Sequence, residues 1–210
     1  MDIVTNDHLI RDIGALEALY GESSAGAIAK EIDYIHPHYR AMIEASPFMV
    51  LATCGPEGLD ASPRGDPAGS FVQVLDDKTL LIPDRRGNNR VDSLRNIVRD
   101  PRVALLFLIP GVGETLRVNG RAMVSVAPDL LARFPFRGTL PRSVIVVAAE
   151  SVYFQCPKAL VRSELWNPDK QIDRKALPST GTILADITTG RVGGEQYDRE
   201  YPERLRTTLY

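Results

Sequence analysis

From Phe48 to Phe154 the chain is a succession of short apolar segments, each closed by a turn signal, and this constrains the fold more than any other feature. The segment 48-FMVLAT-53 runs into the Gly/Pro turn 54-CGPEG-58, and 59-LDASPR-64 reads as its hairpin partner. Next, 71-FVQVL-75 and 79-TLLIP-83 are joined by Asp76, Asp77 and Lys78 as a second tight hairpin. Strands this closely spaced predict one continuous meander. An amphipathic helix follows over 90-RVDSLRNIVRD-100, where Val91, Leu94, Ile97 and Val98 form one stripe and Pro101 ends it. Two more strands, 103-VALLFL-108 and 115-TLRVNGRAMVSV-126, come next, with Gly120 marking a bulge or bend. A short helix at 128-PDLLARF-134, a loop at 135-PFRGTLPR-142 and the β-branched strand 143-SVIVVAAESVYF-154 complete the body. The pattern predicts an α+β fold: a six- or seven-stranded antiparallel barrel with flanking helices.

The flanks attach to this body without making a second core. In residues 1–45, an N-terminal helical extension, Leu9, Ile13, Leu16 and Leu19 recur at helical spacing and predict a helix from Asp7 to Tyr20, stopped by Gly21. His36 and His38 flank Pro37 with no third ligand nearby, which reads as a helix start and not as a metal pair. Residues 46–166 are the barrel core. The tail, 167–210, has one apolar stretch, 182-TILADI-187, too little to bury an independent core, so it packs on the barrel or reaches a partner subunit. Residues 1–210 therefore read as a single domain.

Charge excludes several classes of function. A net charge of −2 lacks the positive excess that non-specific nucleic-acid binding or a polybasic membrane contact requires. Asp2, Asp7, Arg11 and Asp12 interrupt the apolar N-terminal positions, unlike a signal peptide, and no run approaches the ~18 apolar residues that span a bilayer. Cys54 and Cys156 have no metal-ligand spacing and read as a reduced pair. The expected location is the cytoplasm.

Two loops of unusual composition carry the functional signal. The first, 62-SPRGDPAG-69, presents Ser62, Arg64, Gly65 and Asp66; the second, 83-PDRRGNNR-90, presents Arg85, Arg86, Gly87, Asn88, Asn89 and Arg90 at the start of a helix. Unpaired N–H groups and the positive end of a helix dipole favour an anion there, and arginine forks match phosphate oxygens. A solvated basic loop with Asn89 as N-cap is the structural alternative. Neither G-x-G-x-x-G after a strand nor G-x-x-x-x-G-K-[ST] occurs, so Rossmann and P-loop sites are absent, and with all three histidines before position 39 acid–base triads have little to work with.

Taken together, 47-PFMVLAT-53, the strand ending SPRGD, TLLIPDRRGNNR, the helix ending DPRVALLF, and ETLRVNGRA resemble the pyridoxamine 5′-phosphate oxidase-related, FMN-binding split-barrel superfamily. More narrowly, SPRGDPAG, PDRRGNNRVDSLRN and 156-CPKALVRSELW-166 resemble a bacterial subgroup of FMN-dependent enzymes. The resemblance covers residues 45 to 168. It implies a homodimer with two FMN molecules at the subunit interface, each touched by both chains. It places the phosphate on Asn88, Asn89 and Arg90 with Arg64, and the flavin ring along Ser62–Asp66. Thr115 and Arg117 of the other subunit close the site. The helix-opening loop is longer than in the oxidase itself, which leaves Arg85, Arg86 and Arg90 as alternatives for the phosphate. The oxidase's lysine-containing strand motif and C-terminal arginine–histidine signature are missing, since the chain ends 203-ERLRTTLY-210. Pyridoxamine phosphate is therefore not the substrate the resemblance supports.

Within 156-CPKALVRSELW-166, Lys158, Arg162 and Trp166 recur at i, i+4 and i+8, along one helical face. They read either as a wall over the flavin, with a cation stabilising its reduced form, or as a surface helix with Trp166 covering the barrel end. Arg162 and Lys158 are accordingly the candidate catalytic residues. The reading that emerges is an FMN-dependent oxidoreductase for a small molecule, with a flavin carrier or sensor as the alternative. A split barrel for haem, a deazaflavin or another small aromatic is a third, and the scarcity of histidine argues against axial haem ligation.

Overall fold

The computed structural model describes residues 8–209. Its centre is one antiparallel sheet of seven strands: β1 (Phe48–Gly55), β2 (Gly58–Gly65), β3 (Gln73–Val74), β4 (Thr79–Pro83), β5 (Arg102–Leu108), β6 (Thr115–Ser125) and β7 (Val144–Gln155). The spatial order is β2-β1-β5-β6-β7-β4-β3, so the sheet has two free edges and does not close. This is the expected α+β split barrel.

Both predicted hairpins form, but they do not make one meander: β1–β2 lies at one edge of the sheet and β3–β4 at the other. The reason is competition for the second edge of β1, which the apolar β5 takes, pairing Val50 with Leu106 and Ala52 with Ala104. Backbone bonds from Asp66 N–H to Pro47 O (3.1 Å) and from Gly69 N–H to Glu44 O (3.0 Å) turn the chain away from that edge. Phe71 and Val72, expected in a strand, are buried in the core instead, leaving β3 two residues long. The bend expected at Gly120 is a register shift between Asn119 and Gly120, where a Cβ would stand 2.0 Å from the Ala148 carbonyl oxygen.

Alternation along the strands sends Met49, Leu51, Leu105, Phe107, Leu116, Val118, Ile145 and Val147 to one side, where they form the core. Two helices seal it. From α3 (Pro37–Ala45) comes Ile43, and from α4 (Asp92–Arg99) comes Ile97. Burying one such side chain contributes ~1.5–3 kcal/mol. His36 serves α3 as its N-cap, its ring nitrogen accepting from His38 N–H at 3.2 Å.

Three helical expectations need correction, and one short helix was not foreseen. The first helix, α1, spans Ile13–Tyr20, because Asp12 caps it by accepting from Ala15 N–H at 2.8 Å; Asp7 lies outside the described residues. Its apolar positions, with Leu9 before it, are exposed rather than packed on the barrel. A second short helix, α2 (Ala25–Ala29), follows it, and α5 (Pro128–Leu131) is shorter than expected. The helix after β7, α6 (Lys158–Ser163), stops at Glu164, whose φ of 51° is left-handed, so Trp166 lies beyond it and no three-residue face forms. In the tail, α7 (Thr180–Ile187) and α8 (Gly194–Thr208) form a helical hairpin, locked where the Asp198 carboxylate accepts from Gly181 N–H (2.7 Å) and Ser179 Oγ (2.5 Å).

Candidate functional site

The free ends of β2 and β4 share no ladder of backbone bonds, yet side chains bring them together. Arg64 on β2 donates to Asp84, just past β4, at 2.9 Å, and Arg85 donates back across the gap to Asp66 at 2.6 Å. Both crossed pairs are shielded: the Asp66 side chain has no exposed surface, and Arg64 and Asp84 are 21% and 17% exposed. Removing one partner of a buried pair is far more damaging than the pair is stabilising, so these contacts fix the seam. Ser62 and Ser93 add a hydroxyl–hydroxyl bond of 3.0 Å from β2 to the first turn of α4.

Over this seam opens a cleft of about 830 Å³, framed by β2, the 84–93 segment and the 136–143 loop. Five arginines and three aspartates line it. Their pairing decides the field. Arg64 is held by Asp84, Arg85 by Asp66 and the Phe134 carbonyl, and Arg90 by Asp92 at 2.8 Å. The last pair is in solvent and is worth about 0–1 kcal/mol. Arg86 and Arg142 have no ion-pair partner among the described residues, and only Asp60 of the lining carboxylates is left to offset them, so the positive excess of the cleft rests on these two arginines.

One atom is left over. Nε of Arg64 is buried without a hydrogen-bond partner among the described residues, a state that costs about 1–3 kcal/mol until an acceptor arrives. The opening of α4 is also under strain. Asn89 (φ 59°) and Val91 (φ 52°) are both left-handed, and Asn88 Oδ1 accepts from Arg90 N–H at 3.0 Å to hold the turn. Asn89 is not the N-cap: Val91 occupies that position, and no side chain caps the helix. The N–H groups of its first turn are therefore left without a side-chain cap.

Of the residues singled out in the sequence, the cleft gathers Ser62, Arg64, Asn88, Asn89 and Arg90, together with Arg85 and Arg86. Gly65 and Asp66 stand behind it, Asp66 as the buried partner of Arg85. Thr115 and Arg117 are outside it on β6, where Thr115 Oγ1 donates to Gln155 (3.2 Å) and Arg117 to the Tyr153 hydroxyl (2.9 Å). Lys158, Arg162 and Trp166 also lie outside it, and Trp166 Nε1 donates to the Val112 carbonyl at 2.8 Å. Sequence reasoning missed Asp84, Ser93, Phe136 and Arg142. A signal existed for the last two: 135-PFRGTLPR-142 has the same Pro, Gly and Arg character as the other two loops.

A phosphorylated planar group fits these residues: the cleft has the volume of a cofactor site, two unpaired guanidinium groups for an anion, and an orphaned donor for a ring acceptor. Fold and site thus define a split-barrel protein with an anion-favouring cleft at its seam. The chain belongs to the pyridoxamine 5′-phosphate oxidase family, whose model matches residues 35–156. That membership places it in an oxidoreductase-type superfamily whose members commonly bind flavin and are typically dimeric.

Similar solved structures include a single-residue variant of HupZ from Group A Streptococcus, 17% identical, covering 58% of this chain and 99% of that one with a TM-score of 0.48. A Lactobacillus delbrueckii protein provisionally named a pyridoxamine 5′-phosphate oxidase is 21% identical, with 58% and 95% covered and a TM-score of 0.45. A Clostridium acetobutylicum protein related to general stress protein 26 is 11% identical, with 57% and 86% covered and a TM-score of 0.42. At these values the likeness says nothing about the site. No curated protein matches. Among the described residues no helix is long and apolar enough to cross a membrane.

Proposed function

We propose that this protein is an FMN-dependent oxidoreductase that acts on a small molecule and works as a homodimer in the cytoplasm. The observation that carries the reading is the pair of unpartnered arginines, Arg86 and Arg142, beside the orphaned Nε of Arg64 in one cleft. Arg86, Arg90 and Arg142 hold the phosphate, with the backbone of Asn88 and Asn89 and the uncapped start of α4 supplying N–H donors. Arg64 offers its Nε–H to an acceptor on the flavin, and Ser62 lies along the same strand. Gly65 and Asp66 act from behind, through the seam. When bound, FMN supplies two-electron redox chemistry, and the protein contributes position, charge and exclusion of water.

Thr115, Arg117, Lys158, Arg162 and Trp166 lie outside the cleft of their own chain, so any role they have at a flavin is at the cleft of a second copy. Arg162 and Lys158 are the residues we assign to charge stabilisation there. A second reading, a flavin carrier or sensor, is favoured by one feature: the described lining residues include no histidine, cysteine or lysine to move a proton. Turnover with NAD(P)H and a panel of small reducible compounds separates the two.

The test of the shared premise is flavin binding. Purified protein is expected to show flavin absorption bands that bleach on reduction. Replacing Arg86 with Ala removes a charge-assisted contact worth ~1.5–3 kcal/mol, or about one to two decades in affinity, and it acts on FMN but not on riboflavin. Equal loss for both flavins would assign Arg86 to folding.

A further inference from the structure

Asp84 is out of place in a cleft for an anion, and its surroundings suggest why it is there. It is the first residue beyond β4, its N–H bonded to the Ser143 carbonyl at 2.9 Å, so its backbone is pinned to the neighbouring strand. Its carboxylate is largely shielded and accepts from Arg64 Nη1 at 2.9 Å. Because β2 and β4 are not paired in the sheet, this contact sets where the planar Arg64 fork lies. With Nη1 committed to Asp84, Nε stays buried with nothing to bond among the described residues. The same carboxylate also opposes any anion seated against Arg86 and Arg142, because charges in a partly shielded cleft are screened less than in water.

We propose that Asp84 is a positioning residue with two opposed effects: it holds Arg64 for the flavin, and it keeps the grip on the FMN phosphate weaker than the arginines alone would make it. This rests on the FMN reading above. The two effects separate by substitution. Asp84→Asn keeps an oxygen that accepts from Arg64 and removes the charge; Asp84→Glu keeps the charge; Asp84→Ala removes both acceptor and charge.

FMN and riboflavin share a ring and differ in the phosphate, so titrating each apoprotein variant with both flavins reads charge and position independently. Asp84→Asn is expected to bind FMN about fivefold more tightly than wild type with riboflavin unchanged, the scale of one partly screened charge interaction. Asp84→Glu should restore the wild-type ratio of the two affinities. Asp84→Ala should weaken riboflavin, which Asp84→Asn leaves alone. An unchanged FMN-to-riboflavin ratio in Asp84→Asn, or equal weakening of both flavins in step with a lowered Tm, would reduce Asp84 to a staple of the seam and overturn the proposal. Wild-type protein that binds neither flavin defeats the FMN reading itself. Inorganic pyrophosphate, followed by its protection against thermal unfolding, still reads the charge in that case: stronger protection of Asp84→Asn than of wild type supports the role of Asp84, and equal protection overturns it.

Discussion

Val91 shows how a single residue marks the site. A β-branched side chain in the left-handed region is disfavoured by about 1–2 kcal/mol, yet Val91 sits there with φ 52° at the lip of the cleft, at the N-cap of α4. Asparagine tolerates this conformation and is a preferred N-cap, whereas valine is a poor one. Val91→Asn is therefore expected to stabilise the protein by about 1 kcal/mol, seen as a Tm increase of a few degrees in thermal unfolding. A lower Tm would mean that the valine side chain contributes packing that outweighs its backbone strain. The strain was illegible in the sequence, where 85-RRGNN-89 pointed to Asn89 as the cap. Composition identified the loop, but which residue adopts φ > 0 depends on how the loop meets β2. Ser62, Arg64 and Arg86 were legible because their chemistry is local. Asp84 and Arg142 were not, because each acquires its role from a segment distant in sequence.

At the scale of elements, the turn from α4 to β5 is a charged clamp. Asp100 Oδ1 accepts from the backbone N–H of Arg102 (3.1 Å), and its carboxylate receives the guanidinium at 2.6 Å, on either side of Pro101. The Arg102 side-chain hydrogen bonds hold the Asp100 carboxyl well below the usual carboxylate range, with the backbone bond and the charge of Arg102 adding to the effect. A depressed folded-state pKa stabilises the fold above the unfolded value, about 3.9, and that contribution is lost as pH falls below it toward the folded value. Asp100→Asn should then lower Tm by a constant amount at neutral pH, with the gap to wild type closing only below about pH 4. A gap independent of pH would show that the turn is held by geometry rather than charge. The helix, its Pro101 stop and the strand after it were legible from period and composition. The topology was not. Adjacent hairpins imply a meander, but the apolar strands β1 and β5 pair edge to edge, and the second hairpin closes the far edge beside β7. Local signals report nearest neighbours; strand order is set by which strands must bury their apolar side chains side by side.

At the scale of the whole molecule, the sheet presents a second face. Opposite the core, cross-strand rows run Val50–Leu106–Arg117 and Ala52–Ala104–Asn119, each residue half-buried, while the alternate positions beside them are buried. The two helices that seal the barrel, α3 and α4, join the core through Ile43 and Ile97, on the other side. A flat row of apolar residues ending in an arginine suits a two-fold contact, in which the same patch serves both partners. Arg117 ends the first row, on β6 and away from the cleft of its own chain, whereas Thr115 is buried beside Gln155. A dimer built on this face is expected to bury about 2,000 Å² or more, as obligate contacts do. Leu106→Lys places a charge in the middle of the row without touching the core or the cleft. We expect the variant to sediment as a monomer at micromolar concentration, to keep the far-ultraviolet circular dichroism of the wild type, and to lose FMN affinity because part of each site then has no second copy to supply it. A Leu106→Lys monomer that binds FMN as tightly as wild type would show each cleft complete within one chain. Thr115, Arg117, Arg162 and Lys158 would then have no part in holding the flavin.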